Sequence, residues 1–212
     1  MTLKTYFLPT VILITLIVLL INRHKLTPSY NKNFIAYLVV TFFVETTAHL
    51  LTVYYGNNIP LYNFQMIFEI SFFYYTFYKA ISKSSVKQII LYFSIAFLVF
   101  AIGNLIFYQT LYDFNSYTYT LGSIFLSFLC LYFLFEIVIL STNIINPFQN
   151  FLFWVSIGIL FCYLGNLPYL SSLNVLFQNH DSMVTSLSII SKVVNTLLFV
   201  LMIIGVLCQK KK

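Results

Sequence analysis

Charge is scarce in this sequence. Only 8% of its 212 residues are Asp, Glu, Lys or Arg, against roughly 25% in a water-soluble domain. A surface so poor in charge cannot stay wetted, which excludes an ordinary soluble fold. Cysteine is scarce too: Cys130, Cys162 and Cys208 each fall in an apolar stretch and show no CxxC spacing. That excludes a disulfide framework and leaves them as small buried hydrophobes. Of the three histidines only His49 lies in an apolar segment, and one His among carboxylates is a poor zinc site, so no metal is expected. HExxH, GxSxG and glycine-rich phosphate loops are all missing, which removes the usual metal and nucleophile templates. Ser188 and Ser191 beside Lys192 are the hydroxyls nearest a base, and a Ser and Lys nucleophile pair needs hydrogen-bond contact. The expectation is a chain that is not an enzyme and carries no cofactor.

The net charge of +6 raises nucleic acid as a partner. The basic residues, however, are spread over short loops and form no basic, aromatic-interleaved surface, so nucleic acid is excluded. What the sequence has in plenty is apolar: 60% of residues are hydrophobic and 20% are aromatic, in blocks close to the roughly 20 residues that a bilayer core requires of a helix. Phe and Tyr suit both a lipid-facing surface and the interfacial belt. Richness in Ile, Phe, Tyr, Asn and Lys with little Ala or Gly fits a bacterial genome of low GC content, hence a bacterial inner or plasma membrane.

Seven segments meet the length test: residues 6–22, 34–55, 60–80, 88–108, 118–140, 151–171 and 184–207. The fold class is an all-α, polytopic membrane protein, a single seven-helix domain read as one helix plus three hairpins. The first segment resembles a signal peptide, but no small-residue cleavage site follows and Arg23-His24-Lys25 comes next, so a retained helix is expected. Breaks are expected at Gly56 to Pro60, at Asn143 to Asn150, and over a longest connection from Ser171 to Met183.

Orientation follows from Lys and Arg, which are retained on the cytoplasmic side. Arg23, Lys25 and Lys32, then Lys79, Lys83 and Lys87, then Lys210 to Lys212 fall on one side if there are seven spans. The other side holds Asp113, His180 and Asp181, with Lys4 at the N-terminus. The N-terminus is therefore expected outside and the C-terminus in the cytoplasm.

Polar residues inside such spans are costly and normally face the bundle interior with a partner. Glu45 and Glu69 fall near mid-span, while His49, Asn104, Asn166 and Lys192 fall in the outer halves. Together they outline an outward-facing polar layer, the candidate ligand-binding set. Glu45 and His49 are four residues apart and share a helix face, either as a packing pair or as a proton-sensitive one. Lys192 requires an acceptor, with Glu69 the first choice and Glu45 the second, either as a structural ion pair or as part of a site. Glu136 is expected to snorkel at the cytoplasmic end. Pro168 either kinks helix six beside Asn166 or ends it. A polar residue recurs in Ala48-His49-Leu50-Leu51, Gly103-Asn104-Leu105-Ile106 and Gly165-Asn166-Leu167-Pro168, as an internal repeat would or as apolar sequence aligns with itself by chance.

Two stretches, Phe153 to Pro168 and Ser188 to Phe199, resemble an uncharacterised bacterial seven-helix membrane region found alone or ahead of sensor histidine kinase domains. The resemblance covers mainly the last two helices and is mostly apolar. It implies a sensory role, with output through a cytoplasmic or membrane partner because the chain closes on Gln209-Lys210-Lys211-Lys212 instead of a kinase. A helix-seven lysine with a helix-three carboxylate also looks like a retinal-binding rhodopsin, which implies Lys192 as Schiff-base amine and Glu69 as counterion. The chain departs from that pattern in lacking an Asp four residues before the lysine, a helix-three Arg and an aromatic-proline kink. The leading expectation is a receptor or sensor that takes a small ligand or protons in the outer polar layer. A small transporter, a rhodopsin-like protein and a structural subunit of a membrane complex are the alternatives. Membrane lipid is the one partner the composition implies; no motif specifies an oligomeric state.

Overall fold

A computed structural model describes residues 7–140, 146–178 and 183–209. They form seven α-helices: α1 (Phe7–Ile21), α2 (Asn33–Tyr55), α3 (Ile59–Ala80), α4 (Ser84–Phe107), α5 (Ser116–Phe135), α6 (Phe151–Gln178) and α7 (Met183–Cys208). α5 runs on as a wider π turn over Glu136–Leu140. Five of these stretches are long and apolar enough to cross a membrane: Ser29–Tyr55, Ser84–Phe107, Ser116–Ile139, Phe151–Leu176 and Ser186–Cys208. α3 is less apolar because it carries Asn63, Gln65 and Glu69 among its tyrosines, and the Asn63 and Gln65 side chains are buried within the bundle.

Helix ends follow local chemistry. α2 stops at Gly56, whose φ of 72° lies in the left-handed region that glycine enters without penalty. Its amide donates to the Thr52 carbonyl at 3.1 Å. Asn57 Oδ1 then accepts from the Ile59 amide at 2.8 Å, and Pro60 occupies the first turn of α3, where a missing N–H costs nothing.

The principal packing partners close into a ring in the order α1, α2, α3, α5, α6, α7 and back to α1, with α4 outside against α3 and α5. The closest pair is α6 with α7. Gly158 and Gly165, two turns apart on α6, face α7 so closely that a Cβ would stand 2.9 Å from Leu198 Cδ1 and 2.9 Å from Val194 Cγ1. Small residues allow this approach where lipid offers no hydrophobic drive. α5 packs more on α6 than on its sequence neighbour α4. The outer surface is apolar: Ile89, Tyr92, Val99, Ile106 and Phe107 all stand exposed on α4, as on a helix that faces lipid.

Two ends of the bundle differ. The turns α2–α3 and α4–α5 lie at one, here the cavity end; the connections α1–α2 and α3–α4 lie at the other, here the basic end. Among the described residues the basic end holds Arg23, Lys25, Lys32, Lys79, Lys83 and Lys87, whereas the loops of the cavity end hold Asp113. Lys4, His180, Asp181 and Lys210 to Lys212, used in the orientation argument, lie outside the described residues.

Three expectations are corrected. α6 does not end near Ser171 but continues through Pro168 to Gln178. The last turns are held from outside the helix ladder: Asn174 Nδ2 donates to the Phe114 carbonyl at 2.8 Å and Asn174 Oδ1 accepts from the Phe114 amide at 3.0 Å. Glu136 does not snorkel; its Oε1 accepts from the Ser82 amide at 2.8 Å and ties α5 to the α3–α4 connection. The third correction concerns Asn104 and Lys192 and belongs to the site.

Candidate functional site

The ring encloses a cavity of about 850 Å³, within the usual range for small-molecule sites. α2 contributes Thr41, Glu45, His49 and Thr52, spaced by four, four and three residues so that one helix face supplies them all. α3 faces it with Tyr62, Gln65, Met66 and Glu69. α6 adds Cys162, Tyr163, Asn166 and Tyr169, and α7 adds Ser188, Ser191, Lys192 and Asn195. The α2–α3 turn and Phe114 form part of the wall at the cavity end.

The α2 and α3 wall is acidic and held by tyrosines. The Tyr62 hydroxyl donates to Glu45 Oε2 at 3.1 Å, and the Tyr37 hydroxyl donates to Glu69 Oε1 at 2.7 Å. Gln65 Nε2 donates to Thr41 Oγ1 at 3.2 Å, joining the two helices. The α6 and α7 wall is built on amides. Asn166 Nδ2 donates to Asn195 Oδ1 at 2.9 Å, and the Cys162 thiol donates to the same oxygen at 3.0 Å. Asn166 is 3% exposed, and its own Oδ1 has no partner among the described residues. Lys192, one turn nearer the cavity end than Asn195, is exposed.

One turn inward from Thr41 the cavity stops. Tyr37, 1% exposed, stacks on Phe72 at 4.9 Å between ring centroids. Phe34 meets Phe72 edge-on at 5.1 Å and Phe151 at 5.1 Å. Phe73 meets Tyr163 at 6.0 Å. These rings form a packed aromatic floor between the cavity and the basic end.

Five of the six expected residues, Glu45, His49, Glu69, Asn166 and Lys192, line the cavity. Asn104 does not. It is 2% exposed in a separate amide cluster between α4 and α5, where its Nδ2 donates to Gln109 Oε1 at 2.8 Å and to Asn115 Oδ1. Asn63 completes that cluster, donating to the carbonyls of Leu111 at 3.1 Å and Asp113 at 2.8 Å and accepting from the Asn115 amide at 2.8 Å. The three polar motifs of the sequence therefore do not form one layer.

The expected ion pair between Lys192 and Glu69 is also absent. α3 and α7 occupy opposed places in the ring, separated by α2 and α1 on one side and by α5 and α6 on the other. The polar and charged groups acting on Glu69 are Tyr37, Tyr163 and Glu45. Glu45, the second choice, faces Tyr62. Lys192 stands on the α7 wall of the cavity. Among the described residues no group of three or more His, Cys, Asp or Glu side chains is placed to hold a metal ion.

Sequence reasoning passed over Thr41, Tyr62, Gln65 and Asn195. The signal was present: each lies three, four or seven residues from a residue already singled out, on the same helix face. No family model, curated protein or solved structure matches the chain. The class of protein is thus defined by its geometry: an all-α bundle with membrane-spanning character around a polar cavity.

Proposed function

We propose that the chain is a multi-pass membrane protein of receptor or sensor type, with seven spans, its cavity end outside the cell and its basic end in the cytoplasm, which binds a small polar ligand in the cavity. The observation that carries this reading is the cavity itself, polar and charged along its walls and ending on an aromatic floor. The one-sided distribution of Lys and Arg supports the orientation. Occupancy would shift the helices that line the cavity, and α6 and α7, packed through Gly158 and Gly165, would carry the shift to the basic end, where a partner protein or anionic lipid reads it.

A transporter is the second reading, favoured by Pro168, which directly precedes Tyr169 of the cavity wall and leaves the Leu164 carbonyl without its helical hydrogen bond. Thiol labelling separates the two. In a background lacking Cys130, Cys162 and Cys208, Ser191→Cys on the cavity wall is expected to react with a membrane-impermeant maleimide added outside. Thr76→Cys, inward of the floor, is expected to react from neither side. Reaction of Ser191→Cys from both sides would indicate alternating access and favour the transporter; reaction from the inside alone would reverse the orientation.

A further inference from the structure

Three side chains where α6 meets α7 share a short run of hydrogen bonds that is open at both ends. Asn166 Nδ2 donates to Asn195 Oδ1 at 2.9 Å and to Cys162 Sγ at 3.6 Å, and the Cys162 thiol donates to the same Asn195 oxygen at 3.0 Å. Both N–H groups of Asn166 and both lone pairs of Asn195 Oδ1 are thereby used. Two atoms are left over. Asn166 Oδ1 is buried in a residue 3% exposed and accepts nothing among the described residues. Asn195 makes no other hydrogen bond there, so its Nδ2 donates nothing. Both residues line the cavity, and one wall therefore offers a free acceptor beside a free donor. Only the hydrogen bond and two amide groups lie between these atoms, which keeps them within about 7 Å of each other.

That pairing selects a class of ligand. A buried amide oxygen without a donor is costly, and so is its opposite. An ammonium group carries donors only and a carboxylate acceptors only, so each serves one of the two atoms and leaves the other facing its own kind. A carboxamide carries a C=O and an N–H about 2.3 Å apart. With a hydrogen bond of about 2.9 Å at each end it bridges up to about 8 Å, which covers the separation. The surroundings define the remainder of the ligand. Tyr163 and Tyr169 lie three residues before and after Asn166, on the same face of α6. Tyr163 also stacks on Tyr119 of the cavity wall at 5.9 Å between ring centroids. Phe199, one turn beyond Asn195 on α7, faces the cavity as well. Such surfaces receive an apolar, ring-bearing body.

Resting on the proposed function above, we infer that the Asn166 and Asn195 pair is the specificity element of the cavity and that the ligand is an uncharged carboxamide with an apolar body. Its N–H donates to Asn166 Oδ1 and its C=O accepts from Asn195 Nδ2. Its ring lies against Tyr163 and Tyr169.

The test is protection from labelling, on the full-length protein in membranes. Cys130 and Cys208 are replaced by alanine, Cys162 by serine to keep a donor toward Asn195, and Ser191→Cys places a thiol on the cavity wall one turn from Asn195. Its reaction with an impermeant maleimide is timed against rising concentrations of benzamide, N,N-dimethylbenzamide, benzoate, benzyl alcohol and acetamide. Benzamide is expected to slow the reaction. The dimethyl compound, which has no N–H, and benzoate, which has no donor, are expected to need at least about tenfold more for equal protection. Acetamide, without a ring, is expected to protect more weakly than benzamide. Asn195→Asp keeps an oxygen for Asn166 and exchanges the free donor for an acceptor. Preference is then expected to reverse at pH 8: benzamidinium, which carries donors only, protects at a lower concentration than benzamide, whereas with Asn195 in place benzamide is the better of the two. Should Asn195→Asp fail to fold, the comparison of benzamide with its dimethyl derivative decides alone. Equal protection by those two compounds, or by benzyl alcohol and benzamide, would overturn the inference. So would no protection while Ser191→Cys still reacts from outside, which leaves the cavity reading standing; failure of Ser191→Cys to react from outside would instead remove the cavity reading and the inference with it.

Discussion

Asn63 shows how much one buried amide can organise. Its side chain, fully buried on α3, serves two carbonyls and one amide of the α4–α5 connection. Asn63→Ala strands those backbone groups, each costing about 1–3 kcal/mol when unpaired and buried. The expected result is a clear fall in thermal midpoint together with new proteolytic cleavage between Tyr108 and Ser116. A second residue-scale expectation follows from the opposed places of Glu69 and Lys192. In a double-mutant cycle on ligand-free protein, Glu69→Gln and Lys192→Ala are expected to be additive in stability within about 0.5 kcal/mol, as uncoupled sites are. A larger coupling would restore the ion pair. The sequence exposed Glu45, His49, Glu69, Asn166 and Lys192 because an ionisable or amide group in an apolar run is costly and therefore conspicuous. It gave their depth but not the direction each faces, and so Asn104 was grouped with them although it faces α5. Tyr37 was invisible for a different reason: among 17 tyrosines, nothing separates one that holds a carboxylate from one that meets a headgroup.

At the scale of the helix, two glycines make opposite demands. Gly103 on α4 has no neighbour within 4 Å of an added Cβ, whereas at Gly158 on α6 that atom would stand 3.1 Å from the backbone of Leu198. Gly103→Ala is therefore expected to leave stability unchanged or raise it by up to about 1 kcal/mol, by reducing unfolded-state freedom. Gly158→Ala is expected to lower it by about 1–3 kcal/mol because α7 must move away. Thermal unfolding in one detergent compares them directly, and equal effects would mean that α6 and α7 are not closely packed there. Helix boundaries were legible almost everywhere, since apolar runs and turn residues such as Gly56 and Pro60 are local signals. The exception was α6, where Pro168 looks like a terminator. What keeps the helix going is the tie between Asn174 and Phe114, 60 residues distant in sequence, and no local reading reveals that.

For the whole molecule, the ring closes at the basic end when Gln209 Nε2 donates to the Thr27 carbonyl at 2.6 Å, joining the last described residue to the connection after α1. The proposed orientation gives a direct expectation. In a background lacking the native cysteines, Asn57→Cys is expected to react with an impermeant maleimide on intact cells and Lys83→Cys only after permeabilisation. The reverse pattern would invert the protein in its membrane. The helix count and the membrane-spanning character of five helices were legible because hydropathy is a sum over many residues; ring order was not, because it depends on which faces meet. The aromatic floor built by Tyr37, Phe34, Phe72 and Phe73 has a thermodynamic meaning. A well with one mouth exchanges matter with one compartment alone, so its occupancy is a function of concentration there and is blind to the other side. Such a site can take a reading of its surroundings, but it cannot perform osmotic work until those rings part.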